Sequence, residues 1–412
     1  MPNKAEQFGP RWLGRQLARL LPGFPGLKLC VAFSGGGDST ALLAALAALG
    51  RRPRALRAVH VDHGLHPDSA RWSEGAVRVC RALDVPCEVL TAVVSRERGK
   101  SLEARAREAR YRLFVGTMAP GEVLLTAHHE DDQLETVLLQ LLRGAGLAGL
   151  AAMPELAPLA HGWLARPLLS RSRAELAAWV RSRGLAWLED PSNADERFDR
   201  NYLRLRVLPL IRPRWPGAAA TVARSARHAA EAQRLLDELA RADLGRASHG
   251  ESLSGSALRA LPVERRRNAL RFWIAARGCP VPPTRRLEEI AGALLAARAD
   301  AHPFIEWPGA RLQRQADLLV LHPAAQLAPA AAAAGAAREL SWRWRKAPVR
   351  VLPAGLGEIE LKDDARGPLD LGALAGTLII RWRRGGERLA PVRGGPRRAL
   401  KSLLQESRVP LA

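Results

Sequence analysis

Short apolar runs at Leu27–Phe33, Ala55–Val61, Cys87–Val94 and Glu122–Ala127 alternate with stretches of helical character at Thr40–Leu49, Ala70–Leu83 and Ser101–Met118. Brief, partly β-branched apolar runs read as buried strands, and the longer segments rich in helix formers read as helices. Strand and helix in alternation predict repeated βαβ units, hence an α/β, Rossmann-like parallel sheet covered by helices. Ligands of such sheets bind at the carboxyl ends of the strands. Three polar segments follow strand ends and are expected around one crevice: SGGGDS (Ser34–Ser39), HVDHGLH (His60–His66) and AHHEDDQLET (Ala127–Thr136).

The pattern changes after the breaker-rich RPRWPG (Arg212–Gly217), where Ala/Arg/Leu-rich helical sequence begins near Ala218. A second shift, PAAQLAPAAAAAGAA (Pro323–Ala337), reads as a linker, although Ala-rich sequence also suits a helix. Beyond it stand VRVL, TLIIRW and a dense basic stretch from Arg381 to Lys401. The expected division is a catalytic α/β domain over 1–216, a helical domain over 217–322, a linker over 323–340 and a small α+β domain over 341–412. No internal repeat is present.

Composition narrows the class. Among 412 residues, 47% are apolar, but no uninterrupted apolar run reaches the ~18 residues of a membrane span. The N-terminus MPNKAEQFGPRW has no apolar stretch ahead of a cleavage site, so the cytoplasm is expected. The four cysteines (Cys30, Cys80, Cys87, Cys279) form no C-x-x-C pair, which argues against a disulfide framework or zinc site and for core positions. The net charge of +22 suits a polyanionic partner such as nucleic acid, though a genome biased toward Arg and Ala also raises it.

SGGGDS joins an apparent strand to a helix, so its backbone N–H groups and the helix dipole face an anion. The loop lacks the G-x-G-x-x-G spacing of a dinucleotide fingerprint. The only G-K-S, Gly99–Ser101, has Val94 where a Walker A loop needs glycine. Three glycines followed by Asp38 and Ser39 make a phosphate nest with a carboxylate for Mg²⁺; alone, they also suit a capped surface turn.

In HHEDDQLETVLLQLLR, the residues Leu134, Val137, Leu138, Leu141 and Leu142 recur at helical spacing, so a helix begins near His129. Asp131, Asp132 and Glu135 fall in its first turns as surface neighbours. Acids there also suit the helix dipole, and the histidines also suit capping or packing. Carboxylates flush with an apolar stripe nevertheless need a cation, either a substrate ammonium or Mg²⁺.

These segments, with AREARY (Ala106–Tyr111), RGAGLAGLAAM (Arg143–Met153), RPLL (Arg166–Leu169) and EDPSNADERFDRNYLRLRVLP (Glu189–Pro209), resemble the tRNA(Ile)-lysidine synthase family of PP-loop ATPases. They follow that family's order over nearly all of the first 210 residues. The resemblance implies cleavage of ATP between its α and β phosphates, with adenylation of the wobble cytidine in the CAU anticodon of tRNA(Ile). The ε-amine of free lysine then displaces AMP at carbon 2, giving lysidine and converting Met to Ile specificity. It implies ATP binding by Ser34, Gly35, Gly36, Gly37, Asp38, Ser39, His60, Asp62 and His128, with Mg²⁺ on Asp38. Asp38, Arg107, Asp132 and Glu135 are the implied catalytic residues, the last two holding and deprotonating lysine.

For tRNA it implies Arg110, Arg200, Asn201, Arg204, Arg206, Arg265, Arg383, Arg384 and Lys401. By spacing alone, Arg107 and Arg110 also suit a solvated helix face, DPSN a simple turn and the RNYLR arginines a basic face. LPVERRRNALRFWIAARG (Leu261–Gly278) resembles the family's helical substrate-binding domain, with Arg266 and Arg267 beside Arg265 as candidate phosphate contacts. The tail resembles the start of its C-terminal tRNA-binding domain but stops at Ala412, so a truncated domain is expected. A homodimer is compatible with this reading. The alternatives are a PP-loop tRNA thiolase, for which Cys80 and Cys87 are too widely spaced to suggest a sulfur-carrying pair, and an inactive tRNA-binding homologue, against which the intact SGGGDS and HHEDDQLET speak.

Overall fold

The computed structural model describes residues 7–62, 64, 68–93, 102–188, 194–298, 303–324, 339–352, 358–361, 372, 374–381, 386–390, 395–400 and 402–403. Two compact units divide at Arg234/Leu235.

The first unit opens with helix α1 (Pro10–Leu20) and then builds the predicted alternation: β1 (Lys28–Ala32), α2 (Gly37–Ala47), β2 (Ala55–Asp62), α3 (Ser69–Ala82), β3 (Cys87–Thr91), α4 (Leu102–Thr117), β4 (Val123–Leu125) and α5 (Glu130–Leu142). A short helix α6 (Leu147–Leu150) leads to a hairpin of β5 (Leu156–Leu159) and β6 (Gly162–Ala165), followed by α7 (Arg173–Ser182). The sheet order is β3-β2-β1-β4-β6-β5, parallel except for β5. Order reverses between β2-β1 and β1-β4, which opens a crevice at the carboxyl ends of these strands.

Three of the predicted strands run two or three residues too long, and the second stops one residue short of Asp62. Glu122, for example, is outside β4 because its N–H closes a turn onto the Ala119 carbonyl at 3.0 Å, while its carboxylate is taken by Arg57 Nε and Nη2 at 2.8 and 2.7 Å. The predicted helix at Thr40 starts earlier, at Gly37, so the glycine loop itself forms the first turn. Helix α2 is apolar nearly all round and sits centrally, with Ala41–Leu46 buried beneath α1 and α7. Each wholly buried leucine of this core stabilises the fold by about 1.5–3 kcal/mol relative to exposure.

After α7 come α8 (Asp199–Tyr202), a π-helical turn (Leu203–Val207) and α9 (Leu208–Ile211), then the 30-residue α10 (Ala218–Ala247). The breaker segment at 212–217 leads into α10, and the two units divide within that helix.

The second unit contains more than helices. An antiparallel sheet of order β7-β8-β11-β10-β9 is built from Ser248–His249, Ser252–Ser254, Phe304–Trp307, Ala310–Gln315 and Leu318–Pro323, numbered along the chain. It packs with α11 (Gly255–Arg259), α12 (Val263–Ala276) and α13 (Thr284–Glu289) around Leu270, Ile274 and Leu312. In ARLQRQ the buried Ala310, Leu312 and Arg314 alternate with half-buried Arg311, Gln313 and Gln315 at the period of a strand, which a helical expectation for 217–322 overlooked. Further on, Glu339–Trp342 pairs with Leu378–Arg381 and Val349–Val351 with Glu358–Glu360. Most of the expected linker lies outside the described residues.

Candidate active site

The glycine loop follows β1 directly. Gly35 has φ +82°, and a Cβ there would stand 2.7 Å from Leu188 Cδ1, so glycine alone fits while Leu188 N–H donates to the Gly35 carbonyl at 2.8 Å. The Ser34 and Ser39 hydroxyls lie 3.0 Å apart, and Ser39 also donates to the Gly36 carbonyl. Gly36 caps α2 without a side-chain bond, and no described side chain covers its first turn in the way a Ser or Asp cap would. Gly37 lies against the Trp187 ring.

Asp38 stands in that first turn. Burial alone would favour its protonated form, but His129 Nε2 at 3.4 Å holds the carboxyl below its ordinary range. His129 is 2% exposed and is the cap of α5: its Nδ1 accepts from Asp132 N–H, while the Asp132 carboxylate accepts from His129 N–H at 3.0 Å. With Nδ1 accepting, Nε2 carries the hydrogen toward Asp38 and toward Asp132, 3.5 Å away. Burial depresses the ring's proton affinity, but the facing Asp38, Asp132 and Asp131 outweigh it and raise the pKa above the usual histidine value. A continuous path, Asp38–His129–Asp132, therefore joins the glycine loop to the acid helix.

The three acids grouped from the sequence have different surroundings. Asp131 accepts from Arg173 N–H at the start of α7 and from Arg212 Nη2 at 2.8 Å, so it fastens elements together. Glu135 takes the fork of Arg204, Nε to Oε1 at 2.7 Å and Nη2 to Oε2 at 2.9 Å, with Arg200 Nε 3.6 Å away. Asp132 lies 3.5 Å from Arg204. The cation these carboxylates were expected to need is thus supplied in this structure by the chain's own arginines.

Opposite stands a cationic wall. His128, bonded to Thr126 Oγ1 at 2.8 Å, is held neutral, its pKa well below the ordinary value through burial and the nearby Arg166, Arg107, Arg110 and Arg200. Arg107 lies over the Tyr111 ring at 4.9 Å, and Arg166, 6% exposed, donates to the Pro154 carbonyl at 2.8 Å. His60 is buried and neutral, its Nδ1 donating to the Phe33 carbonyl at the entrance of the glycine loop. Asp62 accepts from Gly64 N–H and closes its own turn.

Of the remaining predicted residues, Arg206 pairs with Glu196 on the surface and Asn201 donates to the Asp195 carbonyl. In the other unit Arg265 is tied to the buried Asp243, Arg266 donates to four backbone carbonyls, and Arg267 stands near Glu264 and Glu288. Arg383, Arg384, Lys401 and the DPSN segment lie outside the described residues. Sequence reasoning missed His129 and Arg166 as site members, although HHEDD and RPLL contained them, and had no signal for Leu188. The four cysteines are free, and Cys30, Cys80 and Cys279 are buried as expected, but Cys80 and Cys87, whose spacing did not suggest a pair, meet, and contact with Cys87 together with burial raises the Cys80 thiol. Cys87 opens β3, at the end of that strand opposite the crevice. Among the described residues no group of three or more His, Cys, Asp or Glu side chains is placed to hold a metal ion.

Comparison with known proteins gives three family matches: a PP-loop domain over residues 12–211, a TilS substrate binding domain over 253–320 and a TilS substrate C-terminal domain over 378–412. The chain is 39% identical to a tRNA(Ile)-lysidine synthase of Coxiella burnetii, over 93% of this chain and 84% of that one. It is 42% identical to that of Alkalilimnicola ehrlichii, over 98% and 88%. It is 40% identical to that of Xanthomonas axonopodis pv. citri, over 95% and 86%.

Proposed function

We infer the chemistry from one premise: the chain belongs to the tRNA(Ile)-lysidine synthase family, with a PP-loop domain that binds ATP. It is an ATP-dependent ligase acting on tRNA(Ile). In our reading the triphosphate lies on residues 34–39, and Arg107, Arg110 and Arg166 offset its charge. One carboxylate, Asp38, beside a phosphate nest suits Mg²⁺, which is commonly held by one or two carboxylates plus substrate phosphates and would neutralise the pyrophosphate as it leaves.

The carbonyl oxygen of the wobble cytidine bonds to the α-phosphorus and the bond to pyrophosphate breaks. The ε-amine of free lysine then bonds to carbon 2 and the bond to AMP breaks. Asp132 and Glu135 receive the ammonium and accept its proton. Neutral His128 adds no charge beside the arginines, and His129 keeps Asp38 ionised and holds Asp132 in line. Residues 217–322 and 341–412 carry the tRNA backbone, and the reaction belongs in the cytoplasm, where ATP and tRNA meet.

The observation that supports this most is the Asp38–His129–Asp132 path, which links a phosphate-facing loop to an amine-facing helix over 3.4 and 3.5 Å. Incubation with ATP, lysine and tRNA(Ile) bearing CAU, followed by nucleoside mass spectrometry, should yield lysidine with one AMP released per tRNA. AMP release without lysidine would overturn the lysine assignment.

A further inference from the structure

The three glycines at 35–37 all meet one short segment from far along the chain. Leu188 N–H donates to the Gly35 carbonyl, and the Leu188 carbonyl lies 4.0 Å from where a Cβ on residue 36 would stand. At residue 37 the same position is faced by Trp187, whose Cδ1 is 3.7 Å away. The Leu188 side chain also reaches a fourth glycine. A Cβ on Gly35 would be 2.7 Å from Leu188 Cδ1, and a Cβ on Gly75, buried on α3, would be 2.9 Å from Leu188 Cδ2. Carbon atoms do not pack that closely, so Leu188 sits in a socket that exists because residues 35 and 75 have no side chain. Gly75 needs such a reason, since glycine weakens a helix interior.

We propose that Leu188 is a positioning residue for ATP: seated between Gly35 and Gly75, it holds the glycine loop in its phosphate-binding form by fixing the peptide that joins Gly35 to Gly36. The proposal rests on the reading that residues 34–39 hold the triphosphate.

In a trans peptide the carbonyl and the N–H point opposite ways, so the bond from Leu188 to the Gly35 carbonyl turns the Gly36 N–H to the other side. There it lies 3.3 Å from Ser34 Oγ, next to the first N–H groups of α2. A glycine at φ +82° followed by another glycine lets this peptide turn over at little steric cost, and the turned form would aim a carbonyl at the phosphates. The Leu188 N–H opposes that turn, and the socket keeps the donor in place. The far wall of the socket belongs to the same crevice: Ser73, on α3 with Gly75, has its hydroxyl 3.5 Å from Asp62 Oδ2 at the end of β2. Leu188 thus locks two walls of the crevice together across the glycine loop.

The test is steady-state kinetics of the full chain with ATP varied and then lysine varied. Leu188→Ala is expected to raise the KM for ATP by roughly 10- to 100-fold, the scale of misplacing a binding element by about 1 Å, with the lysine KM unchanged. Gly75→Ala should raise the ATP KM as well, because its Cβ displaces Leu188; it serves on its own if Leu188→Ala folds poorly. Leu188→Met, which refills the socket with an adaptable chain of similar volume, should return most of the loss. In the double variant the two penalties should not multiply, since both changes break one contact. Loss of fold stability alone would lower the active fraction, and so the apparent kcat, while the KM for ATP stayed in place. An unaltered ATP KM in either single variant, or penalties that multiply in the double variant, would overturn the proposal. Ser39→Ala keeps the two failures apart. An unchanged ATP KM there would overturn the placing of the triphosphate on the loop, whereas a raised KM there with Leu188→Ala like the wild type would overturn the role of Leu188 alone.

Discussion

Arg204 in the first unit and Arg314 in the second are both largely withdrawn from water, but they are satisfied in different ways. Arg204 meets the carboxyl groups of Glu135 and Asp132, side chains that suit a substrate. Arg314, 6% exposed, donates to the carbonyls of Leu294, Leu295, Ala297 and Ala316 and holds the end of a helix against β10. Arg266 does the same for the carbonyls of Leu258, Ala291, Arg259 and Leu261. A carboxylate partner can be exchanged for a phosphate; a set of backbone carbonyls cannot. A net charge of +22 therefore overstates the surface available to tRNA, because part of the arginine content closes helix ends in the interior.

The sharpest way to break this contrast is to remove the acid that ties the glycine loop to the rest of the crevice. Asp38→Asn should lower AMP formation by roughly 10²- to 10³-fold, the scale of losing a preorganised charge in a transition state, while tRNA affinity stays within a few fold. Quenched-flow measurement of AMP with ATP and tRNA in excess reads the first number, and filter binding reads the second. Retained turnover would take Asp38 out of the site.

Next in size is the tail. Deletion of residues 371–412 should weaken tRNA binding by roughly 10- to 1,000-fold and flatten its salt dependence, each lost phosphate contact lowering the log–log slope by just under one. ATP binding should not change. Arg314→Met sharpens the comparison from the other side: stability of the second unit should fall by about 2–4 kcal/mol as its carbonyls lose their donor, with the salt slope of tRNA binding unaltered. A slope that falls with Arg314→Met would place that guanidinium among the phosphate contacts after all.

The contrast also marks what the chain order reveals. The parallel sheet, the glycine turn and the start of α5 were legible because each is written in contiguous residues: apolar period, turn glycines and a capped acidic first turn. Cys80 with Cys87 and Glu135 with Arg204 were not legible, the latter because 69 residues separate partners that only the return of α8 and the π turn brings together. The β5–β6 hairpin escaped notice since LAPL and GWLA are four-residue strands, one interrupted by proline. The second unit's sheet was hidden by Arg311, Gln313 and Gln315 on the half-buried face of β10 and by the charged Arg314 on its buried face.

The smallest expected effect concerns His129, and its sign follows from the two shifts at the Asp38 contact. The His129 pKa is raised in the folded chain, so its contribution to stability is complete below the ordinary histidine value of 6.5 and is lost as pH rises through the folded value above it. The Asp38 pKa is lowered, so its contribution is complete above 3.8 and is lost as pH falls through the folded value below that. The contact is therefore strongest between these limits and fades on the alkaline side first within the range where the enzyme works. His129→Asn, which keeps a polar group at the cap but cannot titrate, should remove the alkaline loss. Thermal melts of the wild type and the variant from pH 6 to pH 8.5 should then diverge at the acid end and converge at the alkaline end. Parallel melts across that range would mean that His129 keeps one protonation state throughout and that the path from Asp38 to Asp132 is fixed by shape alone.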